Sequence, residues 1–218
     1  MPVILSFRLE GPLQSWGIKS RWFHRGTAQE PTKSGVIGLI SCALGYPQKD
    51  PRIGELSRNV RMAVREEHPG TILVDYQTIT GGYITAKRTF SKKGIELTKE
   101  YLQEASFLVL LEGKRHILEV IHEGFKNPQW PIYLGRKCCI PARPIEPKIK
   151  EYDSLMEALE TIQLDSTYSN RKSETLRCII EDPMGSMTRS DEIVASPARI
   201  FRKRRVSEIW VSPPEGTS

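Results

Sequence analysis

Two apolar periodicities alternate along residues 3–140, and their order restricts the folds open to this chain. Val3, Leu5, Phe7 and Leu9 recur at every second residue, the spacing of a strand with one buried face, so Arg8 belongs to the opposite face. In PTKSGVIGLISCALG the spacing becomes helical: Val36, Ile37, Leu39, Ile40, Ala43 and Leu44 form an apolar stripe. Thr32 is placed to cap that helix, and Gly45 and Pro47 end it. NVRMAVRE and TILVDYQT predict two strands turning at His68–Gly70. ASFLVLLEG, apolar throughout, predicts a central strand. Ile117, Leu118, Ile121 and Phe125 predict the helix after it, and WPIYLGRKCCI a further strand.

The resulting order, strand, helix, strand, strand, helix, strand, is the α+β plan of a ferredoxin-like (RRM-type) βαββαβ palm. Its two helices are expected to cover one sheet face and leave the other open. Residues 1–150 supply this unit. From Gly81 to about Glu100 the chain is rich in glycine, lysine and threonine, too polar to hold a core, and predicts a protruding hairpin or loop at about 80–100. Residues 151–218 are expected to form a small C-terminal extension packed on the palm, with SLMEALETI as a helix and LRCIIED and IFRKRRVSEIWV as strands.

Charge and composition narrow the function. The chain carries 32 Lys and Arg against 26 Asp and Glu, a net charge of +6. The excess gathers at Lys19–Arg25, Lys87–Lys93 and Arg199–Arg205, three patches of the kind that attract phosphate backbones; any one alone would pass for a solvated surface. Trp16 and Trp22 lie among Lys19, Arg21 and Arg25, and rings interleaved with cations suit unstacked RNA bases, although a loop tryptophan also serves as a plug closing a sheet. No apolar run approaches the roughly 18 residues of a membrane helix, and the N-terminus lacks a basic leader, so a cytoplasmic protein is expected.

Catalytic and cofactor motifs are weak. GTAQEPTKSG ends in Lys33-Ser34 before a helix, but Thr32 stands where a Walker motif needs glycine; what remains is a helix start suited to a phosphate. Gly35–Gly38 matches a lone G-x-x-G whose apolar centre belongs to the core stripe. Cys42, Cys138, Cys139 and Cys178 contain no C-x-x-C pair and read as reduced thiols, and neither a metal nor a cofactor is expected. His24, Lys33, Tyr83 and His116 could serve metal-independent RNA cleavage, but their spacing does not group them, and Lys114-Arg115-His116 reads as a solvated turn.

FRLEGPLQSWG through SRW, PTKSGVIGLI, ALG, HPGTILVDYQT, KEYLQEASFLVLLEG and NPQWPIYLGRKCCIPARPI, with a weaker match at RKRRV, together resemble the Cas-five family of RAMP proteins from type I-E CRISPR systems. The likeness covers most of residues 3–147. It implies a ferredoxin-like palm with an extended β-hairpin thumb, matched by position to Gly81–Glu100. It also implies a non-catalytic subunit of the antiviral Cascade ribonucleoprotein complex. Such a subunit caps the 5' repeat-derived handle of the crRNA, beside backbone subunits and the large PAM-reading subunit, and meets target DNA only through the complex. The chain departs from the pattern at Thr98-Lys99-Glu100, where relatives often carry Arg or His before the EYL motif.

On this reading Trp16, Arg21, Trp22 and Arg25 contact handle nucleotides, and Lys33 and Ser34 hold a phosphate. Lys87, Arg88, Lys92 and Lys93 grip RNA from the thumb; Arg8, Arg202 and Arg204 are secondary contacts. Type I-C relatives imply the alternative of a metal-independent endoribonuclease, which would need Tyr, Lys and His clustered on the palm. A generic RRM-like RNA module outside CRISPR would explain the charge but not the matched motifs.

Overall fold

The computed structural model describes residues 1–18, 23–165, 167, 175–195 and 200–212. The N-terminal part runs β1 (Val3–Glu10), the two-residue strands β2 (Leu13–Gln14), β3 (Trp16–Gly17), β4 (His24–Arg25) and β5 (Thr27–Ala28), α1 (Lys33–Ala43), α2 (Arg52–Asn59) and β6 (Val60–His68). A hairpin follows: β7 (Thr71–Ile79), β8 (Tyr83–Ile84), β9 (Phe90–Ser91) and β10 (Ile95–Gln103). Then come β11 (Ser106–Gly113), α3 (Arg115–Lys126), β12 (Lys148–Glu151), α4 (Leu155–Thr161), β13 (Leu176–Glu181), β14 (Met187–Ala195) and β15 (Ile200–Val211). This is a mixed α/β fold with mostly antiparallel sheets and four α-helices among the described residues.

The main sheet has the order β12-β1-β11-β6-β13-β15-β14. Leu5, Phe7, Leu9, Met62, Val64, Phe107, Val109 and Leu111 turn to one face, where α1 and α3 pack; Phe7 and Phe125 meet with ring centroids 4.9 Å apart. Ile4, Ala63, Leu108 and Leu110 turn to the other, beneath Leu155, Ala158 and Leu159 of α4. Burial on both faces explains why β11 reads as an unbroken apolar run rather than an alternation.

The expected open face is therefore closed. α4 covers it, and beneath α4 lies a buried charge triad: Arg65 donates to Glu67 Oε1 at 2.6 Å and to the Leu159 carbonyl, while Glu67 also takes Arg8. Residues from 151 onward contribute to the same sheet, since β13 pairs with β6 at Cys178↔Arg65, Ile179↔Val64 and Ile180↔Ala63. Segment 130–140 is irregular rather than a strand. Pro131, Pro141 and Gly135, at φ +91°, break it, while Leu134 and Cys139 are buried singly. The sheet's outer strand next to β1 is instead the short, charged β12, in register Val3↔Glu151 to Ser6↔Lys148.

The predicted protrusion is a hairpin longer than its polar segment. β7 and β10 pair from Ile79↔Ile95 to Thr71↔Gln103, and β8 and β9 close the distal part. TILVDYQT, which reads from sequence as the third strand, paired after the turn at His68–Gly70, is thus an arm: Ile72, Val74 and Tyr76 are each at least half exposed.

GPLQSWG is the joint that holds this hairpin to the sheet. Gln14 is fully buried, donates to the carbonyls of Leu9 and Ala105, and accepts Trp16 Nε1 at 3.0 Å. Ser15 donates its N–H to Leu134 O and its hydroxyl to Glu100 O. The Trp16 ring packs so closely on α1 that a Cβ at Gly35 would stand 2.7 Å from it.

Candidate nucleic-acid interface

The parallel pairing of β4 with β10, Thr98↔His24 and Lys99↔Arg25, lays an aromatic and basic strip along the hairpin root. Phe23 is 60% exposed and lines an open groove of about 600 Å³ with Thr78, Ile79, Thr80 and Ile95 of the hairpin arms. His24 Nε2 meets Glu100 Oε1 at 3.1 Å, and the Arg25 side chain is exposed. Arg136 braces the strip: it donates to the carbonyls of Glu100 and Arg25 and lies 4.5 Å over the Tyr101 ring. Lys99 Nζ donates to Gln77 Oε1 across the hairpin.

Further out, Lys87, Arg88, Lys92 and Lys93 are all exposed on a narrow tip. Thr85 N donates to Thr89 O, their hydroxyls meet at 2.7 Å, and Arg88 takes a φ of +58° to close the turn. Four cations on a two-stranded projection form an electropositive arm suited to a phosphodiester backbone.

Elsewhere the structure corrects the sequence reading. Trp16 is fully buried, its indole N–H satisfied by Gln14, so it is a packing residue and offers no face to a base. Lys33 is 1% exposed and its ammonium pairs with Glu181 Oε2 at 2.9 Å; its backbone N–H donates to Asp191 at 2.7 Å. The start of α1 already holds an anion, the Asp191 carboxylate, which takes the place a phosphate would need. Ser34 is half-buried with Oγ 3.4 Å from Thr32 Oγ1. Arg204 is buried and paired with Asp191, and Arg8 grips Glu67 through Nε and Nη2. Arg202 is exposed with Nε on Glu192. Arg21 and Trp22 lie outside the described residues.

Phe23, Lys99 and Arg136 were missed by sequence reasoning. Phe23 could have been found as the ring continuing the Arg21–Trp22 run, and Arg136 as the cation following a glycine in YLGRK. Lys99 gave no signal beyond its departure from the family pattern.

A separate pocket of about 360 Å³ brings His116 together with Tyr46 and Lys114, while Tyr83, Lys33 and His24 lie elsewhere. The Arg52 guanidinium sits 4.0 Å over the Tyr46 ring and is itself held by Asp50. Among the thiols, burial pushes Cys178 up to about 12 and Cys139 up to about 11, so neither is a nucleophile near neutrality. No helix among the described residues is long and apolar enough to cross a membrane.

A mixed α/β sheet with helices on both faces, carrying a basic hairpin, defines a class of architecture rather than a single protein, and comparison with known proteins makes the assignment specific. Residues 4–212 match the family model described as CRISPR-associated protein (Cas_Cas5). The chain belongs to this Cas5 family of CRISPR-associated proteins. It is 35% identical over 153 residues to the CRISPR system Cascade subunit CasD of Escherichia coli (strain K12), covering 65% of this chain and 68% of that one. A crystal structure of a Cas protein superposes with a TM-score of 0.77 at 34% identity, covering 98% of both chains. A chain of a CRISPR RNA-guided surveillance complex superposes at 0.78 with 27% identity, covering 98% of this chain and 91% of that one.

Proposed function

We propose that this chain is a non-catalytic RNA-binding subunit of a type I-E Cascade complex, in the cytoplasm. It caps the 5' repeat-derived handle of the crRNA and joins the backbone subunits to the large PAM-reading subunit. The observation that carries the reading is the hairpin with its exposed Lys87, Arg88, Lys92 and Lys93, rooted beside Phe23 and Arg25. In a chain that matches the Cas5 family from residue 4 to 212, this hairpin is the natural thumb. The strand order β12-β1-β11-β6, with α1 and α3 on one face, supports a ferredoxin-like palm. Arg25 and the four hairpin cations are the proposed RNA contacts, with Arg202 on β15, one strand in from the sheet's far edge; Arg21 and Trp22 stay in the proposal from sequence.

Binding of a 5'-labelled CRISPR repeat RNA by the purified chain, in EDTA and across a salt series, tests the proposal against a scrambled RNA. Intact RNA held with repeat preference is the expected result. Equal affinity for both RNAs would leave a generic RNA module instead.

The alternative of a processing nuclease is not favoured by the likeness to CasD, but one pocket gives it a place to be tested. Tyr46, Lys114 and His116 share a pocket, and a phenol, an ammonium and an imidazole are the groups that metal-independent 2'-OH attack needs. Scission at one phosphate in the same EDTA assay would make the chain a processing nuclease.

A further inference from the structure

At the hairpin root an aromatic ring stands open beside unpaired cations. Phe23 is 60% exposed, yet its backbone is fixed: the Thr98 N–H donates to its carbonyl at 2.9 Å, next to the Thr98↔His24 step of the β4–β10 ladder. Side chains alternate along residues 23–25, so Phe23 and Arg25 share one face while His24 turns to the other, where Glu100 meets it at 3.1 Å. Lys99 is the ladder partner of Arg25, and the Ile79↔Ile95 pair lies further out, where it lines the open groove of about 600 Å³ with Phe23.

The charges on this face are available. Arg25 is exposed, Arg136 donates only to carbonyls, and Lys99 donates to the Gln77 amide, so none of the three has a carboxylate partner among the described residues. Asp75, across the hairpin from Lys99, offsets one of these charges and leaves the others. Glu96 also borders the groove, but its carboxylate interacts with the Tyr76 hydroxyl.

An exposed ring next to unpaired cations suits a ligand that carries a flat π-system and an anion together. A free anion would leave the ring uncovered, and a duplex keeps its base faces inside its own stack. An apolar protein segment would cover the ring but would have to desolvate the guanidinium of Arg25 without a partner. Single-stranded RNA supplies both groups, since its unstacked bases lie on aromatic rings while cations track its backbone. We propose that the Phe23 ring stacks one unpaired base of single-stranded RNA and that Arg25 takes a phosphate of the same strand. The inference rests on the RNA-binding reading above and adds to it the residue that holds a base. Because the ladder fixes the backbone of both residues beforehand, little ordering cost attaches to binding there.

The test uses the full chain with short RNA homopolymers and an abasic ribose-phosphate oligomer of equal length, followed by fluorescence anisotropy at one salt concentration. Base-bearing oligomers are expected to bind about 10-fold tighter than the abasic one, from a single stacked base. Phe23→Ala and Phe23→Leu should each bring that ratio close to one, while Phe23→Trp keeps it. Arg25→Ala should weaken both kinds of oligomer by a similar factor. Thermal melting confirms that the variants fold. A wild-type ratio near one, or a full ratio in Phe23→Ala, overturns the stacking proposal alone. A full ratio in Phe23→Leu overturns it as well, because an aliphatic side chain would then serve and the surface would suit an apolar protein partner equally. Failure of the wild type to bind any oligomer overturns the RNA-binding reading and this inference with it.

Discussion

Asp191 Oδ2 accepts the backbone N–H of Lys33 at 2.7 Å, and the same carboxylate holds Arg204 through both of its oxygens. A β14 side chain thereby caps α1 and neutralises a buried arginine. Asp191→Ala removes the cap and leaves the guanidinium only the Glu181 carboxylate, 3.7 Å away, a loss of about 3 kcal/mol, the low end for a broken buried pair. Chemical denaturation should show it as a lower midpoint. A change below about 0.5 kcal/mol would mean that the Asp191 contacts do not matter to stability.

Gln14 and Trp16 form a buried polar pair, so their variants should affect folding first. Gln14→Ala strands the Trp16 N–H and the carbonyls of Leu9 and Ala105, a cost of about 1–3 kcal/mol. Trp16→Phe should lower the melting temperature while leaving RNA affinity, measured well below that temperature, within about twofold. A selective loss of RNA binding in a fully stable Trp16→Phe would return this residue to the interface.

The hairpin cations should act additively and without regard to sequence. Each Lys→Ala among Lys87, Lys92 and Lys93 that removes a phosphate contact should flatten the log–log salt dependence by roughly one unit. Titrations with repeat and scrambled RNA at several salt concentrations measure this directly. An unchanged slope in the triple variant would take the tip out of the interface.

Acid should find a weak point at Asp165. Burial pushes its carboxyl up, but the Thr167 N–H and the Arg143 guanidinium outweigh that and hold it at about 2. A carboxyl depressed in the folded state stabilises fully above its unfolded value of about 3.9, and that contribution is lost as pH falls toward about 2. Asp165→Asn should be less stable than the wild type at pH 7, with the gap closing between about pH 4 and pH 2. Denaturation midpoints of both proteins at the two ends of that range check it, and a gap independent of pH would show that Asp165 acts through packing.

If the pocket of Tyr46, Lys114 and His116 cleaves RNA, Tyr46→Phe and His116→Ala should each abolish scission in EDTA while binding persists. On the non-catalytic reading, wild type and both variants leave repeat RNA intact over hours. Gel analysis of end-labelled RNA separates the two.

Local periodicity made β1, α1, β11 and α3 legible because each signal lies within its own segment. The Thr32 cap is the same kind of signal: its hydroxyl accepts the N–H of Gly35, three residues on. Features with distant partners were not legible. Lys33 reads as a phosphate ligand because lysine is rarely buried unpaired; its partner Glu181 arrives 148 residues later. β12 went unread because KIKE, largely exposed, carries no apolar alternation, while Ile132, Leu134 and Cys139 imitate a strand by plugging the core one at a time from an irregular segment. Of the proposed interface, the cations were visible in sequence and their presentation was not. Only the β4–β10 pairing shows that Arg25 runs beside the hairpin root.

The capping of α1 by Asp191 also sets a clock on synthesis. The two residues are 158 positions apart, a stretch that translation at roughly 5–20 residues per second takes about 8–30 s to complete. Until that interval ends α1 has neither its anion nor, before Glu181 is made, the partner of the Lys33 ammonium. The helix reaches its final stability only when the last three strands close the sheet, so an N-terminal nascent fragment carries an unfinished helix start on its surface.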